Sequence, residues 1–504
     1  FNDTATTEIY TNLNTLSLHD ALPIWFALTW ARIGTFEYPL DDVYIHLAMA
    51  EGIAGGTYGI NPGEPASAAS SILYPLLLTP FPGAEMQRYL PLFWNLSGLL
   101  TLAWLLGRWI EEWSTGKVAV ILALVLPFAT NMAGVASLGM EHTLHALAMA
   151  VMLLGFWRFL SKGEVGLALI AGVLLAPVLR FEGIGLALAV SAVVALRGHL
   201  RAGAMLAALA LVPVALFALF LTSQGLDPVP SSVLAKLSAA SDSSDPLSRL
   251  LRNLFSVGGL VVLAAFAFLT AALFNRENQN LRLFTLVVWL AVLGHLFAGR
   301  IGWAARYEHY VLVISAIALI PALARGGAFR SVGMIAALAS AAYFLWMNAT
   351  VYNWTARGVY LQHAQMARIE AELPGVPVAV NDIGRVAWAQ DAAVVDLWGL
   401  AYANARRARQ EAEAEGGPEP GWAGALADAK GARYAMVYAD WFKDGIGADW
   451  RLVATLATPA PIGILGSEVV SIYAIDPTIE DDLRAVIERH APSMPEGATL
   501  TQVN

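Results

Sequence analysis

The chain has 504 residues, of which 57% are hydrophobic and only 14% are charged, and its mean hydropathy is +0.58. A soluble protein carries roughly 25% charged residues, so this composition indicates a membrane protein. Acidic residues concentrate after residue 350, and the net charge of −9 therefore says little about partners. No basic stripe interleaved with aromatic residues suggests nucleic-acid binding. The sequence has no cysteine, which excludes disulfides, Cys-ligated zinc and thiol catalysis.

Residues 1–24 differ from the sequence that follows. This segment has no basic start, no apolar run and no helical period, so it is not a signal peptide. Its stretches 2–11 and 15–24 look like the translation of a common DNA-sequencing adapter, with an index between them. We therefore expect a sequence-assembly artefact, and the alternative is a disordered natural tail.

Residues 25–350 predict a transmembrane domain. A helix that crosses a bilayer needs about 20 apolar residues, and apolar runs of about this length recur throughout this part of the chain. They predict a polytopic α-helical membrane protein with about eleven transmembrane helices. The short pair 164–179 and 183–197 could instead form a re-entrant segment or one hairpin. The candidate helices are 24–38, 88–108, 117–134, 140–160, 164–179, 183–197, 202–222, 254–274, 282–299, 307–324 and 330–350.

The loops between these candidate helices alternate in charge. One set consists of short turns that each carry two basic residues, which is typical of cytoplasmic loops. The other set contains two long loops, 37–87 and 223–253, and an odd number of helices puts residues 351–504 on their side. We therefore expect both long loops and the C-terminal part to be extracytoplasmic. The basic pairs are Arg108 and Lys117, Arg158 and Lys162, Arg197 and Arg201, Arg276 and Arg282, and Arg325 and Arg330.

Residues 351–504 have the composition of a soluble domain and predict a small C-terminal α/β domain. A helix is expected over 356–373, and the charged stretch 403–420 predicts an exposed helix followed by a flexible loop. Four short runs rich in β-branched and aromatic residues predict strands. These runs are 376–380, 393–396, 434–438 and 469–475.

The most informative local feature is the acid pair Asp41 and Asp42, which precedes a loop rich in glycine and turn residues that extends to Glu64. Two acids at the membrane edge are costly unless they have a function. Sugar transfer to a hydroxyl group needs a base for the acceptor proton and cations for the departing phosphate. The pair therefore predicts the catalytic corner of a membrane glycosyltransferase. The alternative is that the acids cap the helix that follows them.

Other polar residues near predicted helix ends extend this candidate site. Lys236, Arg306 and Arg180 are the cations that could bind the donor phosphate. Each has another interpretation: Lys236 could be an ordinary loop lysine, Arg306 a side chain that reaches toward water, and Arg180 half of a structural ion pair with Glu182. Glu141 could favour a helix start through the helix dipole. The candidates for substrate contacts are Tyr44, His46, Glu141, Glu182, Tyr307 and His309.

Together these motifs resemble bacterial GT-C fold glycosyltransferases that use polyprenyl-phosphate sugars, and mycobacterial-type arabinofuranosyltransferases are among the closest in pattern. The acid pair and Asn-Pro-Gly-Glu at 61–64 are similar to the first outer loop of that family. The loop after Glu64 and Pro-Ser-Ser at 230–232 depart from the family pattern and leave the sugar and acceptor open. The other matches, in chain order, are Ser-Leu-Gly-Met-Glu at 137–141, Arg-Phe-Glu-Gly at 180–183, Pro230 to Lys236, Asp-Ile-Gly at 382–384 and Asp-Leu-Trp-Gly-Leu at 396–400.

The resemblance implies an inverting transfer of a sugar, with arabinofuranose as the candidate, from decaprenyl or undecaprenyl phosphate. The reaction would occur on the outer face of the bacterial inner membrane, with a cell-envelope glycan, lipid or protein hydroxyl as acceptor. Asp41 would be the general base, Asp42 would orient the acceptor or the base, and Lys236 and Arg306 would bind the lipid phosphate. The lipid-linked donor is the expected cosubstrate. Asp41 and Asp42 could ligate a divalent cation, but two acids do not form a metal site, and the histidines show no metal-ligand spacing.

Two other classes of protein remain as alternatives. A transporter or flippase for a lipid-linked sugar predicts charges within helices and inverted repeats, and the sequence contains few such charges and no repeat. A non-catalytic membrane protein whose outer domain binds glycan would need neither acid. Among enzymes, the alternative is a mannosyl- or other hexosyltransferase that acts on protein or lipid.

Overall fold

A computed structural model describes residues 34–239, 246–274, 278–414 and 420–503. The chain divides into two compact units, and the second of them includes two stretches that the sequence assigns to the transmembrane domain. The candidate helix 24–38 lies almost entirely outside the described residues, and residues 34–40 are not helical. The first unit contains Leu92–Leu216 and Ala240–Thr350, and the second contains Thr29–Pro91, Phe217–Ala239 and Val351–Asn504.

In the described part of the first unit, all regular secondary structure is helical. Its helices form at apolar runs, whose side chains can be buried or can face lipid. They end at glycine or polar residues, for example at Gly163, which has a left-handed φ of 77°. The helices are Leu90–Trp113, Gly116–Ala129, Met132–Ser137, His142–Lys162, Leu167–Leu179, Gly183–Leu196, Leu200–Ser223, Pro246–Leu254, Val257–Phe274, Gln279–Ala298, His309–Arg325 and Gly327–Met347.

Six helical runs in the described residues are long and apolar enough to cross a membrane. Four shorter apolar helices of 10–17 residues accompany them, and at 1.5 Å per residue they are shorter than the roughly 30 Å hydrocarbon core. The predicted total of about eleven spans therefore stays a prediction. The long runs are Glu85–Trp113, His142–Lys162, Leu200–Ser223, Val257–Phe274, Gln279–Ala298 and Gly327–Ala371, and the short ones are Gly116–Ala129, Leu167–Leu179, Gly183–Leu196 and His309–Arg325.

The last long run continues beyond its apolar part. Gly327–Met347 is followed by a π-helical turn at Asn348–Tyr352 and by two further helices, where the sequence predicts one helix over 356–373. A run of 45 residues is about twice as long as a bilayer needs. Its polar end, which carries His363, therefore lies beyond the membrane-spanning part.

The second unit contains short helices and one sheet. The long loop 37–87 contains the single helical turn Tyr74–Leu77. The helices of this unit are Asp42–Ala54, Tyr74–Leu77, Ser231–Ala239, Asn353–Leu361, His363–Ala371, Gly384–Ala387, Ala403–Ala414, Trp422–Ala429, Ala439–Phe442 and Glu480–His490, with 3-10 turns at Glu85–Tyr89, Lys443–Gly445, Pro477–Ile479 and Ala491–Ser493.

The sheet has six strands in the order β2-β1-β3-β5-β4-β6. β1 pairs in parallel with β2 and β3, whereas the β3–β5, β5–β4 and β4–β6 pairs are antiparallel. Four strands occur where the sequence predicts them, and β4 and β6 were missed. The strands are β1 Val378–Val380, β2 Val394–Asp396, β3 Tyr434–Val437, β4 Arg451–Ala457, β5 Val469–Ala474 and β6 Thr499–Gln502.

The helix Ala403–Ala414 is less exposed than its charged composition predicts. Arg406 and Arg409 are only 8% and 6% exposed. Arg406 pairs with Asp227 at 2.7 Å, and the Arg409 guanidinium lies 4.1 Å from the centre of the Trp398 ring. Pairing and stacking allow both arginines to be buried, and a composition-based argument cannot anticipate these partners.

Candidate functional site

The acid pair begins the helix Asp42–Ala54, but Asp41 does not cap that helix. Asp41 occupies the N-cap position without a side-chain capping bond. Its carboxylate instead accepts the backbone N–H groups of Gly384 and Arg385, at 2.7 and 2.8 Å. These groups begin the short helix Gly384–Ala387, so Asp41 caps a helix that is 343 positions away from it. The simple capping alternative is therefore wrong for Asp41, whose carboxylate joins the outer loop to the Asp-Ile-Gly motif.

His363 is the second partner of Asp41. The imidazole Nδ1 lies 3.3 Å from Asp41 Oδ1, and Nε2 lies 3.5 Å from Asp382 Oδ2 and 3.0 Å from the Tyr438 hydroxyl. The Tyr438 hydroxyl donates its hydrogen to Gln362, so it accepts from His363. Burial alone lowers the pKa of His363, but Asp41 and Asp382 outweigh burial and raise it to about 10. His363 therefore lies between two carboxylates that favour its protonated form.

We expect the stability of the protein to fall as pH rises from about 6.5 to about 10. The raised pKa means that the stabilisation by His363 is fully present below the unfolded value of 6.5 and is lost as pH passes the folded value of about 10. Thermal unfolding of the detergent-solubilised protein between pH 6 and pH 10.5 measures this loss. His363→Gln should flatten the decline, and equal pH slopes for both proteins would contradict the assignment.

Asp42 and Asp382 belong to distant parts of the chain but lie close enough to interact electrostatically. Burial raises the pKa of Asp382, and the charges of Asp41 and Asp42 raise it further against the opposing effect of His363. Asp42 is partly exposed at the first residue of its helix. Three carboxylates and the His363 imidazole therefore share one region, and all three carboxylates are partly exposed there.

Gly384 permits the close approach of Asp41. A methyl group at this position would lie 2.7 Å from Asp41 Oδ2, and it would be nearer still to the Asp41 carbonyl oxygen. We expect Gly384→Ala to destabilise the protein by about 1–3 kcal/mol, which is typical of overpacking, and to lower activity by displacing Asp41. Gly55→Ala is the matched control, because Gly55 has φ −80° and its nearest atom would be 3.4 Å from the new methyl group. Equal unfolding temperatures for the two variants would contradict this reading.

The predicted substrate contacts Tyr44 and His46 are buried in the second unit. Tyr44 has no exposed surface, and its hydroxyl donates to Glu37 and accepts from Arg88 Nε at 3.0 Å. The His46 imidazole is 2% exposed, and its Nε2 lies 3.4 Å from the Ser70 hydroxyl. These positions give both residues the role of packing the helix behind the acid pair.

Arg180 lies in the first unit and is held by two carboxylates. Its guanidinium donates to Glu141 and to Glu182, each at 2.6 Å. Glu141 has no exposed surface and makes no capping bond to its own helix. The structural ion pair foreseen as an alternative is present, with Glu141 as an additional partner. A guanidinium neutralised twice is a poor ligand for a phosphate, which argues against the predicted donor contact of Arg180.

Tyr307 lies among three arginines of the first unit. The guanidinium carbons of Arg306, Arg300 and Arg180 lie 5.0, 5.5 and 5.6 Å from the centre of its ring. Arg306 Nη2 also donates to the Tyr307 hydroxyl at 3.2 Å. The arrangement keeps several positive charges beside one aromatic ring. Arg300 was missed by the sequence reasoning, although Arg300 and Arg306 stand in the same short turn.

The backbone before Arg306 has an unusual conformation. Trp303, Ala304 and Ala305 have φ values of 50°, 64° and 51°, and such left-handed conformations cost roughly 1–2 kcal/mol per residue. The buried Glu308 accepts the Gly302 N–H at 2.9 Å and holds this turn. Local strain of this kind is concentrated at ligand sites in proteins.

The last two predicted residues belong to different units. His309 is fully buried in the first unit, with Nδ1 2.8 Å from the Thr130 carbonyl oxygen. Lys236 lies on the helix Ser231–Ala239, but its side chain is outside the described part of the chain. The start of that helix contacts the outer loop, because Ser67 Oγ accepts the Ser231 N–H at 3.0 Å. The loop after Glu64 and Pro-Ser-Ser at 230–232, where the sequence departs from the pattern of the family that it resembles, therefore contact each other.

Among the residues that the structure describes, no group of three or more His, Cys, Asp and Glu side chains is arranged to hold a metal ion. The sequence reasoning missed His363, which no local pattern distinguishes within its helix. It recognised Asp382 through the Asp-Ile-Gly motif but not as a neighbour of the acid pair.

A family model described as "Domain of unknown function (DUF8728)" matches residues 351–473. No curated protein matches the chain. Among solved structures, the chain is similar to the Archaeoglobus fulgidus oligosaccharyltransferase in its complex with Zn and sulfate, at 12% identity and a TM-score of 0.46 over 96% of this chain and 75% of that one. For the apo form, the identity is 11% and the TM-score is 0.47, over 98% of this chain and 76% of that one. For that organism's oligosaccharyltransferase AglB in complex with an inhibitory peptide and a dolichol-phosphate, the identity is 12% and the TM-score is 0.44, over 96% of this chain and 76% of that one.

Proposed function

We propose that this chain is a membrane glycosyltransferase that moves a sugar from a polyprenyl phosphate to a hydroxyl group of a cell-envelope glycan, lipid or protein. The observation that carries the proposal is the cluster of Asp41, Asp42, Asp382 and His363 in the second unit. Six apolar helical runs support a membrane location. A carboxylate cluster in such a protein fits a reaction that removes a proton from an acceptor.

Within the acid pair we assign the proton transfer to Asp42 and positioning to Asp41. Three contacts already engage the Asp41 carboxylate: two backbone N–H groups and the His363 ring. These contacts hold the Asp41 carboxylate in one position and already occupy its oxygens. Asp42 would remove the acceptor proton as the oxygen attacks the anomeric carbon, and the lipid phosphate would leave from the opposite face with inversion. This reverses the roles that the resemblance implies for the two acids.

For the donor phosphate we propose Arg306 and Arg300, with Lys236 as a further cation. Both arginines belong to the strained turn beside Tyr307. Guanidinium groups suit phosphate because they offer several donors in a fixed plane. An apolar cavity of about 440 Å³ in the first unit supports a lipid-linked donor. Its walls include Leu126, Val261, Phe268 and Leu319, which would contact the polyprenyl chain.

Arabinofuranose is the proposed sugar, and the proposed site and C-terminal part face the outside of the bacterial inner membrane. The test is transfer by the purified full-length protein in liposomes from labelled decaprenyl-phosphate arabinofuranose, with the mannose and glucose lipids in parallel. We expect lipid-linked sugar to be consumed and the anomeric configuration to be inverted in the product. Absence of transfer from all three donors to an envelope extract would overturn the proposal. Movement of intact donor across the bilayer without cleavage would favour a flippase.

A further inference from the structure

We propose that a polar pocket in the second unit binds one neutral sugar unit of the acceptor. The pocket encloses about 230 Å³, which is below the roughly 300–1,000 Å³ usual for drug-sized ligands and suits a single sugar ring. The assignment to the acceptor rests on the proposed function, whereas sugar binding itself does not. Its walls come from four stretches of the chain, 64–65, 225–227, 395–407 and 426–430.

Asn61 attaches the outer loop firmly to the sheet beside this pocket. Its side chain exchanges two hydrogen bonds with Val394 of β2, at 2.9 and 3.0 Å. It also donates to the Tyr402 hydroxyl at 2.6 Å, and Tyr402 in turn donates to Glu64 Oε2 at 2.6 Å. Asn61 thereby holds the Asn-Pro-Gly-Glu motif at 61–64 in place, and Glu64 of this motif lines the pocket, a role that the acid cluster does not explain.

Four charged wall residues of the pocket, Glu64, Lys430, Asp227 and Arg407, already have ion-pair partners. Lys430 forms an ion pair with Glu64 and lies 4.6 Å from the centre of the Tyr402 ring. Asp227 pairs with Arg406 at 2.7 Å and with Arg407 at 3.4 Å. An anionic ligand would have to compete with these carboxylates for their cations. A neutral ligand with several hydroxyl groups can instead donate to the carboxylates and accept from the cations at the same time.

The remaining wall residues suit the two faces of a sugar ring. Pro65, Leu226 and Leu426 provide apolar surface beside the polar groups, as required by a ligand with C–H groups on its face and hydroxyl groups at its edge. Asp396 also borders the pocket, but its carboxylate accepts four backbone N–H groups from residues 398–402. It therefore shapes the turn and is not available to a ligand.

The experiment measures binding of methyl glycosides to the full-length protein in detergent by saturation-transfer NMR. The probes are methyl arabinofuranoside, methyl mannoside and methyl galactoside, with methyl glucuronide and glucose 6-phosphate as anionic comparisons. We expect saturable binding of at least one neutral glycoside. Lys430→Met should weaken it about tenfold, the loss expected for one charge-assisted hydrogen bond, and Asn404→Ala should weaken it by a smaller factor because its amide is neutral. Arg489→Met is the matched control, because Arg489 forms a comparable exposed ion pair with Glu372 elsewhere in the second unit.

Transfer assays separate this inference from the proposed function. The pocket variants should raise the KM for the acceptor and leave the KM for the donor and kcat unchanged, whereas Asp42→Asn should stop turnover without altering glycoside binding. The inference is overturned if no neutral glycoside binds saturably, if the anionic sugars bind preferentially, or if Lys430→Met and Asn404→Ala leave binding unchanged. Saturable binding by a protein that transfers no sugar would instead overturn only the proposed reaction.

Discussion

Asp42→Asn is expected to lower the rate of sugar transfer at least about a hundredfold, which is the usual contribution of a general base. Asparagine has nearly the same shape as aspartate but cannot accept the acceptor proton. Because Asp42 is partly exposed at the start of its helix, the unfolding temperature should stay near that of the wild type. Single-turnover transfer from a labelled polyprenyl-phosphate sugar, together with thermal unfolding in detergent, measures both quantities.

Asp41→Asn should behave differently, since it is expected to lower stability as well as activity. The NH₂ group of asparagine is a donor. In place of a carboxylate oxygen, it would face another donor, either a backbone N–H group or the His363 ring. Hydrogen bonds to a charged group contribute about 1.5–3 kcal/mol each. If Asp42→Asn remained active while Asp41→Asn were inactive with unchanged stability, Asp41 would be the base, as the resemblance implies.

The sequence was sufficient to locate the acid pair but not to assign its partners. Asp41 stands out because two acids beside an apolar segment are unusual, and that is a local property. Its contacts with Gly384 and Arg385 join positions 343 and 344 residues apart, and no local spacing encodes them. His363 is harder still to foresee, because a histidine in an amphipathic helix has no distinctive neighbours until the chain has folded.

Helices and strands show the same division between local and distant information. The apolar helices lie close to their predicted ranges because hydrophobic length is sufficient to define them. β6, with the sequence Thr-Leu-Thr-Gln, has only one buried residue and exists through its pairing with β4. The substrate contact predicted for Tyr44 stays a prediction, and in the fold its hydroxyl donates to Glu37 and accepts from Arg88, two partners that are distant from it in sequence or not marked by any local pattern.

Arg180→Ala is expected to destabilise the protein by about 3–5 kcal/mol, the usual result of removing one partner from a buried ion pair. The substitution leaves the fully buried Glu141 and the partly buried Glu182 without their shared cation. Arg108→Ala is the matched control, because Arg108 is 57% exposed and pairs with Glu111, so its removal should cost less than about 1 kcal/mol. Unfolding of the solubilised variants by heat compares the two losses.

The same variants distinguish a structural role for Arg180 from the donor contact that its sequence position suggested. If Arg180 bound the donor phosphate, Arg180→Ala would raise the KM for the donor. Glu141→Gln would lower that KM, because it would release part of the guanidinium charge. A structural arginine predicts the opposite pattern: Arg180→Ala and Glu141→Gln both lower the unfolding temperature, while the folded fraction keeps its donor KM. Because two carboxylates already hold the guanidinium at 2.6 Å, we expect the second pattern. Donor binding in the first unit would then depend on Arg300 and Arg306, whose replacement should raise the KM for the donor.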